Sequence, residues 1–202
     1  FRPEWKGNRK LSGGLTLMET CHTIDLFRYL SNSDAREVFS FGAIKAIPYY
    51  DYADTEYLTM KMDNGIVAHI TSCHTRSADH KDGGFKQDEY LEKKYGHQYE
   101  YNILGTKGSI WYTPLRDARI YLYEFKQDQG NWKCLLKREE DYEHIPFNVQ
   151  IHGSDHKEFI KAVLEGRDTY ITPEDALKTH EACFAVEKSR DEGGKCISPH
   201  EL

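Results

Sequence analysis

One helical stripe carries the most chemically useful spacing in this chain. At about 100° per residue, Met18, His22, Asp25 and Tyr29 share a face, spaced four, three and four residues apart. The stripe of Leu17, Cys21, Ile24 and Phe27 lies beside it and can turn toward a core. His22 is then free to point from a rigid helix into a cleft. An imidazole that titrates near neutral pH can take a proton from an alcohol as hydride leaves, or return it in the reverse reduction. Asp25, one turn on, can orient the ring and raise its basicity; Glu19, three residues before His22, is a second partner. His22, Asp25 and Glu19 form the candidate catalytic set, and Met18 adjoins it as a substrate contact. The plainer alternative is that His22 caps or packs against its helix and Asp25 solvates it.

Other candidates are more dispersed. His74 and Arg76 stand where a strand gives way to a long polar segment, a place for a substrate contact. His152 and His156 open a late helix, and element ends often carry sites. Cys73, His74 and His80 form a weak zinc-like group whose spacing matches no closed structural site. His69 reads as facing the wet side of a sheet, and His180 as structural.

The elements that must position these residues follow from pattern. Residues 1–14 are polar and end in Ser12-Gly13-Gly14, a flexible hinge; a helix then runs from Leu15 to Leu30, and Ser31-Asn32-Ser33-Asp34 stops it. Val38 to Ile47 is strand-like. Tyr57–Met62 alternates, Asp63-Asn64-Gly65 turns, and Ile66–Thr71 pairs back as a hairpin. Residues 99–112 form a second hairpin around Gly105-Thr106-Lys107-Gly108. Residues 118–136 form a third, through Asp128-Gln129-Gly130-Asn131. Arg76 to Gln98 is a charged excursion, suited to a functional edge or a subunit contact. Residues 155–164 and a helix starting at Thr172-Pro173-Glu174-Asp175 close the chain, with Thr172 as cap and Pro173 in the first turn. The expected fold class is α+β: a largely antiparallel open sheet with helices packed on one face.

The 202 residues suit one domain, 39% of them hydrophobic and 13% aromatic. A net charge of −6, with acids and bases interleaved, excludes nucleic acid, which needs clustered Lys and Arg. No apolar run approaches the ~20 residues of a membrane span. Five scattered cysteines without a C-x-x-C pair favour a reduced, cytoplasmic compartment. A start at Phe1-Arg2-Pro3-Glu4-Trp5, with no methionine, reads as the interior of a longer protein.

The ordered pieces together resemble the C-terminal domain of the glucose–fructose oxidoreductase, inositol dehydrogenase and rhizopine catabolism family (Gfo/Idh/MocA). Gly13-Gly14 followed by His22-Thr23-Ile24-Asp25 resembles that family's glycine pair and His-x-x-Asp helix. Asp54-Thr55-Glu56-Tyr57 with Asp63-Asn64-Gly65 resembles its central strand pair, and residues 103–110 its sheet hairpin. Residues 158–167, Glu174-Asp175-Ala176-Leu177 and Glu187-Lys188-Ser189 resemble its closing helices. The resemblance implies an NAD(P)-dependent oxidoreductase of sugars, cyclitols or related polyols, with His22 near the reacting carbon and a sheet that builds homodimers or homotetramers. It also implies that residues 1–14 link to an N-terminal nucleotide-binding domain, that residues 15–202 bind substrate and oligomerise, and that this chain alone is inactive.

Two departures stand out. Many members carry an acid four residues before the histidine, where this chain has Met18. The family's G-x-G-x-x-G nucleotide motif and its Glu-Lys-Pro motif are both absent, so NAD or NADP is expected to be bound outside these residues. These departures favour the competing reading, a stand-alone binding or assembly module without catalysis. A metal-dependent lyase or hydrolase built on Cys73, His74 and His80 is the third reading.

Overall fold

A computed structural model describes residues 4–43, 47, 49–73, 100–113, 119–128, 131–141 and 147–201. The chain divides into two compact units: Phe1–Thr75 with Ala162–Leu202, and Arg76–Lys161.

In the first unit the alternation of β2 (Thr55–Met62) sets the architecture. Glu56, Leu58, Met60 and Met62 turn inward, while Tyr57 and Lys61 turn outward. β1 (Ala35–Gly42) and β3 (Val67–Cys73) flank it antiparallel, in the order β1-β2-β3. The expected hairpin is present: Lys61 pairs with Val67 and Thr55 with Cys73. Gly65 closes the turn at φ +86°, a conformation that favours glycine.

Two helices cover the buried face. α3 (Cys21–Ser31) and α5 (Pro173–Asp191) contribute Ile24, Ala182, Cys183, Ala185 and Val186 to a core shared with Val38, Leu58, Met60 and Met62. Leu17, Cys21 and Phe27 pack against it, as the apolar stripe requires. Thr172 caps α5 by accepting from the Asp175 N–H at 3.2 Å, with Pro173 in the first turn. The helices run antiparallel: Arg28 meets Asp175, Asp25 meets Thr179, and Thr16 meets Glu187.

Three local expectations change. Residues 4–12, read only as polar, form two short helices, α1 (Glu4–Gly7) and α2 (Arg9–Ser12), and Arg9 bonds Glu187 and Asp191 on α5. The helix read from Leu15 begins with a π turn, Thr16–Thr20, before α3. β1 starts earlier and stops at Gly42, where a Cβ would meet Arg190 Cδ at 2.7 Å and Ala53 Cβ at 2.9 Å. Ile47, read as the end of that strand, instead joins Leu15, Tyr50 and Tyr52 in a second apolar cluster; its N–H donates to Asp54 Oδ2 at 2.7 Å.

The second unit holds a four-stranded antiparallel meander: β4 (Tyr101–Leu104), β5 (Gly108–Thr113), β6 (Arg119–Asp128) and β7 (Asn131–Asp141). Both expected hairpins are present, and β6 and β7 run longer than their apolar cores indicated. α4 (Phe147–Glu165) also starts earlier than residue 155 and continues into the first unit, where Ala162 is buried. The α+β class with antiparallel sheets and helices is as expected, with the described strands divided between two sheets.

Candidate active site at the π turn and His22

The π turn decides how the candidate residues are presented. Its widened ring is closed by the Cys21 N–H, which reaches the Thr16 carbonyl five residues back. The turn is anchored from both sides. Thr16 and Thr20 are buried toward β2 and α5, Leu17 enters the main core, and Met18 packs against the tyrosine cluster. Glu19 is left exposed.

His22 follows as the second residue of α3. Its side chain is exposed, and among the described residues nothing hydrogen-bonds its imidazole. The helix beneath it is fixed: Ile24 is fully buried and Arg28 is tied to α5. A histidine so placed is rigidly carried and open to a ligand.

Asp25 has a different engagement. Its Oδ1 accepts from Thr179 Oγ1 at 2.6 Å and lies 3.5 Å from Arg28 Nη1. No hydrogen bond joins Asp25 or Glu19 to His22 among the described residues. His22 and Asp25 keep their spacing on α3, whereas Met18 sits within the π turn against the tyrosine cluster, and the Asp25 carboxylate is held in the α3–α5 contact.

The hub of that contact is Arg28, whose side chain is only 6% exposed. Its guanidinium donates to Asp34 Oδ1, Asp175 Oδ1, the Asp175 carbonyl and Thr179 Oγ1. Burial alone would ease its proton off, but the bonds to Asp175 and Asp34 outweigh this and hold it charged. Burial would likewise raise the Asp34 carboxyl, yet the bonds from Lys178 and Arg28 bring it below its ordinary value.

A second polar group lies under the π turn. Glu56 is fully buried. Its Oε2 lies 2.7 Å from Thr16 Oγ1 and 3.1 Å from Arg190 Nη1, while Thr16 Oγ1 also lies 2.5 Å from Glu187 Oε1. Arg190 Nη2 and Arg9 Nε both donate to Glu187 Oε2, and Arg9 forms a two-pronged pair with Asp191 at 2.8 and 2.7 Å. Burial pushes the Glu56 carboxyl above the usual range, against the opposing pull of Thr20, Thr16 and Arg190. Thr20 Oγ1 and Glu56 Oε1 are polar neighbours without an aligned hydrogen-bond partner among the described residues.

The remaining sequence candidates are not brought together here. His74, Arg76 and His80 lie outside the described residues, as does the whole excursion from Arg76 to Gln98. His152 lies on α4 with its side chain outside them. His156 is exposed on α4. His69 is exposed on the sheet with Nδ1 3.1 Å from Thr59 Oγ1, and His180 Nδ1 lies 2.8 Å from the Ala176 carbonyl. Cys73 accepts from Thr55 Oγ1 at 3.1 Å.

Sequence reasoning missed Glu56 and Arg28. Each carried a usable signal, since Glu56 alternates in phase with Leu58, Met60 and Met62, and Arg28 follows Cys21 and Ile24 on the core stripe. A charge in phase with a buried face marks an internal network.

The described strands are all antiparallel, and Gly105 and Gly108 close a hairpin, the Gly105 N–H donating to the Gly108 carbonyl at 2.8 Å. No helix among the described residues is long and apolar enough to cross a membrane.

Comparison with known proteins identifies this arrangement. The family described as "Oxidoreductase family, C-terminal alpha/beta domain" matches residues 1–196. The myo-inositol 2-dehydrogenase of Thermotoga maritima is 23% identical over 188 residues, covering 91% of this chain and 48% of that protein. The chain thus spans about half the length of the curated relatives it matches. Among solved structures, levoglucosan dehydrogenase in complex with NADH and L-sorbose superposes with a TM-score of 0.68 at 17% identity, over 96% of this chain and 52% of that one. An Agrobacterium radiobacter oxidoreductase in complex with NAD+, L-tartaric acid and magnesium gives 0.67 at 13% identity, over 98% and 52%. With the family matched over nearly its whole length and the fold shared with these enzymes, the chain belongs to the Gfo/Idh/MocA oxidoreductases, as their C-terminal α/β domain.

Proposed function

We propose that this chain is the substrate-binding and oligomerising part of an NAD(P)-dependent oxidoreductase of a sugar, cyclitol or related polyol, with His22 as its proton-transfer group. The observation that carries the proposal is His22 itself: exposed, without a partner among the described residues, and mounted on a helix whose opposite face is buried. The relatives support the substrate class, since their names include an inositol dehydrogenase and a levoglucosan dehydrogenase bound to a ketose.

NAD or NADP, held by chain outside the described residues, supplies the hydride acceptor when bound. The part played by this chain is the proton. His22 accepts the hydroxyl proton as the carbinol C–H electron pair departs, leaving a carbonyl, and returns the proton in the reverse direction. Met18 lines the same end of the helix. Asp25 acts at a distance, by fixing α3 against α5, rather than by bonding the ring. Residues 1–14 join the nucleotide-binding part to residues 15–202. The face of β4–β7 that carries the exposed Ile103, Leu122 and Leu135 is the homo-oligomer surface.

The second reading, a binding or assembly module without redox activity, draws on Met18 standing where an acid is usual and on the engagement of Asp25 by Thr179 and Arg28. One experiment separates the two. In the full-length protein, His22→Ala should lower kcat for NAD(P)-linked polyol oxidation by about a hundredfold or more, with cofactor affinity kept. Unchanged turnover removes His22 from the mechanism, and no turnover by the wild type with any polyol supports the binding module.

A further inference from the structure

The short contacts under the π turn set a problem in hydrogen counting. Thr16 has one hydroxyl hydrogen, yet its Oγ1 lies 2.7 Å from Glu56 Oε2 and 2.5 Å from Glu187 Oε1. If both carboxyls were ionised, one contact would set oxygen lone pairs against each other with no hydrogen between. A proton on Glu56 resolves it: Glu56 donates to Thr16, and Thr16 donates to Glu187. Glu187 is the natural anion, because Arg9 and Arg190 both donate to its other oxygen. Arg190 touches both Glu56 Oε2 and Glu187 Oε2, and Arg9 touches Glu187 and Asp191. Two cations thus face three carboxyls, so the group is neutral only if one carboxyl, Glu56, is uncharged. Its Oε2 then accepts from Arg190 while it donates to Thr16.

We propose that Glu56 is a positioning residue for His22, acting as a neutral acid that links through Thr16 to Glu187 and so holds the π turn from which the His22 helix begins. This rests on His22 being the proton-transfer group. The geometry explains why the turn needs holding. A π turn is a strained alternative to the α turn, and reverting it would rotate α3 by about one residue, some 100°, relative to Leu17 and Met18. His22, two residues past the turn, would then leave its present face. Glu56 and Glu187 grip the turn at Thr16, with Thr20 beside the free oxygen of Glu56. The groups facing Glu56 are Thr16 and Thr20 from the turn and Glu187, Arg190 and the Cys183 thiol from α5, with Arg9 and Asp191 behind Glu187. Burial of Glu56, which pushes its carboxyl upward, agrees with the neutral form.

The test uses the full-length protein and three variants, with His22→Ala measured alongside. Glu56→Leu removes the link, and kcat should fall about tenfold with KM and cofactor affinity held within about twofold, as for a displaced group. Glu56→Gln keeps a neutral donor toward Thr16 but loses the Oε2 acceptor for Arg190, so it should recover most of kcat and stand well above Glu56→Leu. Should Glu56→Leu fail to fold, Thr16→Val cuts the same link and should give the same loss. A second readout needs no turnover: the melting midpoint of wild type should fall relative to Glu56→Gln as pH rises above the ordinary glutamate range. Full activity in Glu56→Leu or Thr16→Val overturns the positioning role. Glu56→Gln as damaged as Glu56→Leu, or a midpoint difference flat with pH, overturns the neutral acid. If His22→Ala keeps turnover, the proposed function has failed instead; the pH–midpoint comparison does not depend on His22 and still tests the neutral acid.

Discussion

The α3–α5 contact has two polar ends that solve opposite problems. At the Arg28 end a buried cation gathers carboxylates that stay partly in water: Asp25, Asp34 and Asp175 are 35, 27 and 45% exposed beside a guanidinium at 6%. At the Glu56 end the carboxyl is the buried member: Arg190, itself only 9% exposed, reaches it at 3.1 Å, while Arg9, 35% exposed, pairs with Glu187 and Asp191 behind it. The difference teaches which state each end protects. Water still stabilises the acids around Arg28, so pairing there lowers the Asp34 carboxyl. Glu56 has lost that water, and its partners do not make up for it, so its carboxyl is raised. One end is built for charge and the other for a hydrogen-bonded proton.

Removing the hub of the first end should have the largest effect. Arg28→Ala strips five hydrogen bonds from a buried position and leaves three carboxylates facing one another, and it should cost about 3 kcal/mol of unfolding free energy. Urea unfolding at neutral pH measures it. A cost below about 1 kcal/mol would mean that water replaces the guanidinium and that the two ends do not differ as described.

The pH dependence sharpens the comparison through its sign. Folded Asp34 titrates below its ordinary value of 3.8, so in that window the unfolded chain binds more protons. Stability from the Arg28 end is therefore full above 3.8 and lost as pH falls through the depressed value. Folded Glu56 titrates above its ordinary 4.5, so the folded chain binds more protons there, and stability falls as pH rises toward the raised value. Asp191, lowered by Arg9, follows the acid sign even though it belongs to the second end. Midpoints collected against pH should show a shallower acid limb in Arg28→Ala than in wild type. An acid limb unchanged by that substitution would assign acid sensitivity elsewhere.

Much of this was legible in residue pattern. The Leu17, Cys21, Ile24 and Phe27 stripe, the β2–β3 hairpin and the Thr172 cap each follow from short-range rules, because one buried face or one turn decides them. The π turn was not legible. Nothing in Thr16-Leu17-Met18-Glu19-Thr20 distinguishes a five-residue ring from a four-residue one; the choice depends on where Glu56 and Glu187 lie, 40 and 171 residues away. The partner of Asp25 was hidden for the same reason. Its spacing to His22 placed it on the correct face, but Thr179, 154 residues on, captures it. Gly42, the last residue of β1, is fixed as glycine in the same way, because Arg190 and Ala53 leave no room there for a side chain.

Thr179 gives the smallest and most discriminating test. Its hydroxyl donates to Asp25 at 2.6 Å and accepts from Arg28 Nη1 at 2.7 Å, so it stands between the structural network and the residue spaced to serve His22. Thr179→Val keeps the shape and removes both bonds, at a cost of about 1 kcal/mol. Asp25 then retains only the 3.5 Å contact with Arg28 and gains freedom on the helix face it shares with His22. If Asp25 serves by fixing the helix, the variant loses stability while the pH profile of kcat stays in place. A profile that moves when Asp25 is released would show instead that the carboxylate and the imidazole interact during turnover. The acid once read from spacing alone would then return to the mechanism, with Thr179 as the group that restrains it.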